Sequence, residues 1–438
     1  MKTFRQALVN SLLGGLSATF LWFALTFWAY LESKSVIVTS VISGAFGLFA
    51  AATGLVLGTF VDRHRKHQTM LLSSAATLCL TALTIPVYGL LHHSDTKHLA
   101  LSNPWLWVLI AFIMGATVIG NMRGIALGTC VSLLVPEPER ERANGMVGAV
   151  NGVSFVVTSA FSGLVVGQLG MGWAIAISFT LTLVTFLHLF TFKIAEDAPA
   201  RRKDGESAVD IRGALESVRA VPGLGWLIGL AALNNLLGGV FMSLMDAYGL
   251  ELVRVEVWGL IFAFTSVGFI AGGLMVSRFG LGGKPLQRLL LGNMVSWTVA
   301  ALFPLGASII VVTLGMLIWL TTMPVIEAAE QTVLQKAVPF ERQGRVFGFA
   351  QAIESASSPI IALAIGPFAS TVTIPFMTGT RGRDLFGGLL GRGVVGGLGL
   401  CFGAAGLIGL TIAIIGRFSR PYRRLEQSLR ASAGELLV

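Results

Sequence analysis

Long apolar runs separated by short polar intervals set the rhythm of this chain. A helix needs roughly 20 apolar residues, each rising about 1.5 Å, to cross about 30 Å of hydrocarbon. Twelve runs reach that length. Six are Leu8–Leu31, Val36–Val61, Thr69–Leu91, Pro104–Leu134, Ala143–Leu169 and Gly172–Phe192. The other six are Gly225–Leu250, Val257–Val276, Pro285–Phe303, Ser308–Ala337, Val346–Ile374 and Gly393–Ile415. The pattern predicts an all-α membrane protein with 12 transmembrane helices in two six-helix halves. The first half occupies residues 1–192, a charged linker 193–224, the second half 225–416 and a polar tail 417–438. In the linker, Ile211, Leu215 and Val218 fall at helical spacing and predict a short helix lying on the membrane surface. The Gly-rich stretch FMTGTRGRDLFGGLLGRGVVGG leaves the start of the last span weakly defined. The opening MKTFRQALVN begins like a signal peptide, but its apolar run continues to about Leu31 without a small-residue cleavage site. A retained first helix is therefore expected.

Composition agrees. Of 438 residues 54% are hydrophobic and only 12% charged, and the mean hydropathy is +0.78. A soluble domain carries about 25% charged residues, so this chain cannot cover itself with polar surface. The three cysteines, Cys79, Cys130 and Cys401, sit inside apolar runs and form no disulfide or zinc-ligand spacing. The outer loop HHSDTKH offers His92, His93, Asp95 and His98, but in no spacing that fixes a metal geometry, so no metal or other cofactor is assigned.

A net charge of +9 would suit nucleic acid, but its distribution argues otherwise. With an even number of spans both termini share one side. That side carries 24 of the 31 Lys and Arg residues, the opposite side carries 6, and Arg123 lies within a span. Positive residues stay cytoplasmic, which predicts a multi-pass protein of the cell membrane with both termini inside and no nucleic-acid partner.

The chain also echoes itself. LVPEPERERANG (Leu134–Gly145) returns as AVPFERQGRVFG (Ala337–Gly348), with Pro136 and Pro339 separated by 203 residues. At the same offset Asn151 matches Glu354, Ser154 matches Ser357, and Gly163 matches Gly366. GTFVDR (Gly58–Arg63) has its partner in GLMVSR (Gly273–Arg278). Parallel repeats of this kind are a transporter architecture with the substrate site at the repeat interface.

Between the second and third spans the chain reads GLVLGTFVDRHRKHQTMLL. Gly58, Asp62, Arg63 and Lys66 resemble the Gly-x3-Asp-Arg-x-Gly-Arg-Lys signature of the major facilitator superfamily, with Arg65 at the second glycine position. The second copy keeps Arg278 but has Ser277 for the aspartate. VPEPERERANG and VPFERQGRVFG are similar to the fourth-to-fifth and tenth-to-eleventh loops of its drug:proton antiporter branch, especially the macrolide-efflux-like members. The resemblance implies the major facilitator fold. It also implies a conformational latch at Asp62 and Arg63, with Gly58 and Lys66 beside them and Arg142, Arg278 and Arg345 in the facing loops. A charge pair made in one state and broken in another is a bistable element.

Ionisable residues inside a membrane are costly, by at least about 2.5 kcal/mol each, and mark functional candidates. Counting along the helices, Glu327 lies roughly 13 Å and Glu330 roughly 9 Å from the cytoplasmic end of span ten, Glu354 about 10 Å into span eleven, and Arg123 about 15 Å into span four. Two carboxylates facing one cavity would hold a single proton between them, since like charges disfavour joint ionisation. Glu354 and Glu327 are the favoured pair. Glu330 can instead pair with Lys336 or Arg345, and Arg123 can neutralise a glutamate. Asp246, Asn151, Asn234 and Asn235 complete the candidate cavity set. The tryptophans Trp22, Trp28, Trp105 and Trp107 fit interfacial belts.

No Gly-x4-Gly-Lys-Ser/Thr loop is present, so ATP does not drive the cycle through such a loop. The expected function is secondary export of a lipophilic or amphiphilic, drug-like molecule by alternating access, coupled as antiport to protons in a monomer. The alternatives are a carrier or uniporter of the same fold for a lipid, siderophore or nutrient, and an intramembrane lipid-modifying enzyme. The enzyme would need a nucleophile, base or metal set at one depth, and none is legible.

Overall fold

A backbone without water must satisfy its own N–H and C=O groups, which inside a bilayer leaves the helix as the natural form for apolar runs. In the computed structural model, which describes residues 2–93, 103–136, 140–194, 211–282, 284–338 and 340–435, each of the twelve runs forms a helix. In the first half these are α1 (Lys2–Ser33), α2 (Val36–Arg63), α3 (Lys66–His93), α4 (Pro104–Leu134), α5 (Arg140–Gln168) and α6 (Met171–His188). A short α7 (Ile211–Ala220) precedes α8 (Leu224–Leu252), α9 (Val255–Phe279), α10 (Pro285–Leu302), α11 (Ile309–Ala337) and α12 (Phe340–Phe368). Then come α13 (Ile374–Thr378), α14 (Thr380–Leu390), α15 (Gly393–Phe418) and α16 (Arg420–Glu435). Among the described residues 10 helices are long and apolar enough to cross a membrane. The other two of the twelve are α10, which has 18 residues, and α5, whose described apolar part is Gly152–Gln168.

Three regions differ from the sequence expectation. The predicted span Val346–Ile374 does not end as plain helix: α12 widens into a π turn over Ala369–Thr373 and continues as α13. Pro375 lacks the N–H that an α-helix would direct at the Thr371 carbonyl, which favours the wider turn. The Gly-rich stretch forms α14. The tail, expected as a plain polar extension, begins with α16, whose Tyr422 and Leu425 are fully buried against Leu224, Leu289, Val333 and Leu334. The linker helix α7 does form where Ile211, Leu215 and Val218 predicted it. Its Val218 enters the same core, and α7 packs on α8 and α12.

The chain divides into two compact units. One comprises residues 1–42, 49–203 and 253–264; the other comprises 43–48, 204–252 and 265–438. In the first, α1 packs on α4, α5 and α6, and α3 packs on α4. The α1–α6 seam is polar: Ser17 Oγ bonds Thr182 Oγ1 at 2.7 Å and Ser178 Oγ at 2.9 Å, while Asn10 Nδ2 donates to the Thr185 carbonyl at 2.8 Å. Between apolar helices such bonds help to fix register, because lipid supplies no hydrophobic drive. In the second unit α8 packs on α12 and α15, and α10 on α11 and α15. Large apolar side chains point outward throughout, among them Phe279, Ile310 and Phe418, as a chain solvated by lipid requires.

Candidate functional site

The second unit encloses a cavity of about 580 Å³ walled by α8, α10, α11 and α12. Helical periodicity aims its polar wall. On α11, Glu327, Glu330 and Gln331 stand at i, i+3 and i+4 and so share one face. On α12, Gln351, Glu354 and Ser358 do the same over two turns. Asn234 and Asn235 come from α8, Asn293 and Ser296 from α10.

The carboxyls of Glu330 and Glu354 are hydrogen-bond partners, and Glu327 lies close enough to Glu330 to act on it electrostatically. A hydrogen bond between two carboxyls requires that one of them hold a proton. Glu354 and Glu327, the pair favoured from the sequence, both line the cavity, and Glu330 joins them as the hydrogen-bond partner of Glu354.

Two tryptophans, Trp297 and Trp319, also line the cavity. The Trp297 indole N–H donates to Asn234 Oδ1 at 3.0 Å. Trp297 packs edge-on against Trp319 with centroids 5.1 Å apart, and Phe241 lies 4.9 Å from both Trp319 and Phe402. Asn235 Nδ2 donates to its own helix at the Ala231 carbonyl (3.1 Å). Neither Trp297 nor Trp319 was singled out from the sequence, because tryptophan in a span reads first as an interfacial anchor. Gln331 and Gln351 were legible in principle, as amides one turn from each glutamate. Close helix approach builds the wall: a Cβ on Gly239 of α8 would fall 2.4 Å from the Ser358 carbonyl oxygen on α12.

The remaining predicted site residues lie elsewhere. Arg123 is in the first unit, 5% exposed, where its Nη2 donates to Ser74 Oγ at 2.8 Å. Its Nη1 occupies the space over Gly14, where a Cβ would sit only 1.3 Å away. Asp246 is half-buried on α8 and does not line the cavity. Lys66 is buried, and its Nζ donates to the carbonyls of Val61 (2.9 Å) and His64 (3.3 Å) at the end of α2. It thus satisfies carbonyls that a helix terminus leaves open. Arg278 is exposed in the last turn of α9. Gly58 and the side chains of Asp62, Arg63, Arg142, Asn151 and Arg345 lie outside the described residues, as do the side chains of the HHSDTKH stretch. Among the described residues no group of three His, Cys, Asp or Glu could hold a metal.

Comparison with known proteins places this architecture. The chain is similar to macrolide efflux protein A of Streptococcus pyogenes, 23% identical over 385 residues that cover 82% of this chain and 87% of the relative. It is also similar to macrolide efflux protein A of Enterococcus faecalis, 24% identical over 336 residues covering 71% and 94%. Among solved structures, the nucleoside transporter NupG shares the fold with a TM-score of 0.67 at 11% identity, covering 95% of this chain and 99% of that one. A bacterial homologue of the iron transporter ferroportin in an inward-facing state does so with 0.66 at 14%, covering 94% and 98%. The Major Facilitator Superfamily family matches residues 7–363. The chain therefore belongs to the major facilitator superfamily, and it is a multi-pass membrane secondary transporter rather than an enzyme.

Proposed function

We propose that this transporter exports a lipophilic or amphiphilic small molecule by alternating access, in antiport with protons. One observation carries the reading: three carboxylates, Glu327, Glu330 and Glu354, share a cavity with Trp297 and Trp319. The aromatic wall suits an apolar body, and the amides and acids suit a polar or cationic group on it. The paired carboxyls of Glu330 and Glu354 hold a proton that a second charge in the cavity can displace. Binding of cation and proton then become alternatives, which is the linkage an antiporter needs. Similarity to macrolide efflux proteins supports export and a drug-like substrate. In this reading the halves 1–192 and 225–416 rock about the linker, the protein works as a monomer, and both termini are cytoplasmic, as the basic residues argue. Asp62 and Arg63 latch one state, with Gly58 admitting a close helix and Arg142, Arg278 and Arg345 as loop counterparts; Lys66 holds the end of α2.

The test is transport in proteoliposomes under an imposed pH gradient, using a panel of lipophilic dyes and macrolides. Accumulation against the solute gradient that collapses with a protonophore, and that Glu354→Gln abolishes, supports the proposal. Solute flux indifferent to the pH gradient across the panel would overturn proton antiport and direct the search to lipids, siderophores, nutrients and uniport.

A further inference from the structure

A second cavity, of about 530 Å³, lies where α15 ends and α16 begins. Its walls include Arg417, Phe418, Tyr422, Arg423, Glu426 and Arg430. Three guanidiniums face one carboxylate. That carboxylate, Glu426, is engaged by Arg430 at 3.0 Å, and the Arg417 guanidinium lies 4.9 Å from the centre of the Tyr422 ring. The Arg423 side chain has no hydrogen-bond or ion-pair partner among the described residues. The cavity as a whole carries an uncompensated positive charge.

Two further facts narrow the occupant. The wall is held in place, because Tyr422 and Leu425 are anchored in the core of the second unit and fix the orientation of α16. One lining side chain is a large exposed apolar group: Phe418 is 69% exposed at the end of a membrane-spanning helix, and Ile415, one turn back on the same helix, is 64% exposed. A basic cavity with an exposed phenylalanine in its wall, at the end of a membrane-spanning helix, matches an amphiphile with phosphate at one end and acyl chain at the other. Guanidinium is the group best shaped to take phosphate oxygens in pairs, and polybasic segments next to a span read as sites for anionic lipid. We infer that this cavity binds the phosphoryl headgroup of an anionic membrane lipid, with Arg417, Arg423 and Arg430 as its ligands.

The experiment uses the full-length protein in nanodiscs of phosphatidylcholine with increasing phosphatidylglycerol, with retained lipid read by native mass spectrometry. The parent should retain phosphatidylglycerol in preference to phosphatidylcholine. Arg417→Gln/Arg423→Gln/Arg430→Gln should weaken that preference by about tenfold or more, since each basic residue near a charged membrane contributes to it. Should the triple variant melt early in pure phosphatidylcholine, Arg423→Gln decides alone: its side chain makes no contact whose loss would unfold α16, and about a threefold or greater weakening is expected. Equal retention of both lipids by the parent, or unchanged preference in Arg423→Gln, overturns the site. Inorganic phosphate that displaces the lipid at millimolar concentration would reassign the cavity to a free anion and overturn the lipid assignment.

Discussion

Glu330 on α11 and Glu354 on α12 meet carboxyl to carboxyl in the wall of the acidic cavity. A shared proton belongs to the pair and not to either residue. Removing one partner removes the sharing, so removing the second should cost little more. Glu330→Gln and Glu354→Gln should each lower transport driven by a pH gradient by about tenfold or more, within the range for a positioned proton-transfer group. The double variant should be no slower than the slower single. Initial rates in proteoliposomes measure this, and losses that multiply would show two independent proton sites.

Neighbouring glycines on α8 separate packing from access. A methyl on Gly239 would approach the Ser358 carbonyl oxygen to 2.4 Å, whereas one on Gly238 meets nothing within 4 Å and points into the cavity. Gly239→Ala must push α8 from α12, at about 1–3 kcal/mol for overpacking. Gly238→Ala should leave the melting temperature unchanged or raise it slightly, since alanine favours a helix interior by about 0.5–1 kcal/mol, and should alter the substrate range. Thermal unfolding in detergent with a transport panel reads both, and equal stabilities of the two variants would sink the close-approach account.

Span positions were legible because lipid imposes a length on each run, and Val36, Pro104 and Gly393 begin helices where the pattern placed them. The helix in the linker was legible too, from three apolar residues at helical spacing. What hydropathy does not encode is a choice among alternatives of equal composition. Tyr422 and Leu425 are two apolar residues in a basic tail, and only the core of the second unit makes them anchors. Glu327 and Glu330 share a face, so sequence could name the acidic stripe but not the member that meets Glu354. That depends on the axial offset of α11 against α12. Arg123 was legible in depth and in half, but not its partner Ser74 on α3.

Lys66 offers a test of a different kind. Its ammonium holds the carbonyls of Val61 and His64 in a buried setting. Lys66→Met keeps the stem and deletes the donor, leaving open carbonyls at the end of α2. A loss of about 1–3 kcal/mol is expected for unsatisfied buried acceptors, seen as a lower melting temperature. Unchanged stability with impaired transport would instead assign Lys66 to the latch.

Gly14 and Arg123 form a matched pair across the first unit. The guanidinium fills the space that a Cβ on Gly14 would need, with Cζ 2.5 Å and Nη1 1.3 Å from that position. Its fixed anchor is Ser74 Oγ, while Nε has no partner among the described residues. Displacing this buried guanidinium would cost the Ser74 bond. Gly14→Ala should therefore destabilise by about 1–3 kcal/mol through overpacking. In an Arg123→Leu background, where Cζ and both Nη atoms are gone, the same substitution should cost much less. The coupling energy should reach about 1 kcal/mol or more, as for residues in direct contact. A double-mutant cycle on unfolding midpoints measures it. Strict additivity would mean that Arg123 yields freely and that Gly14 is small for another reason.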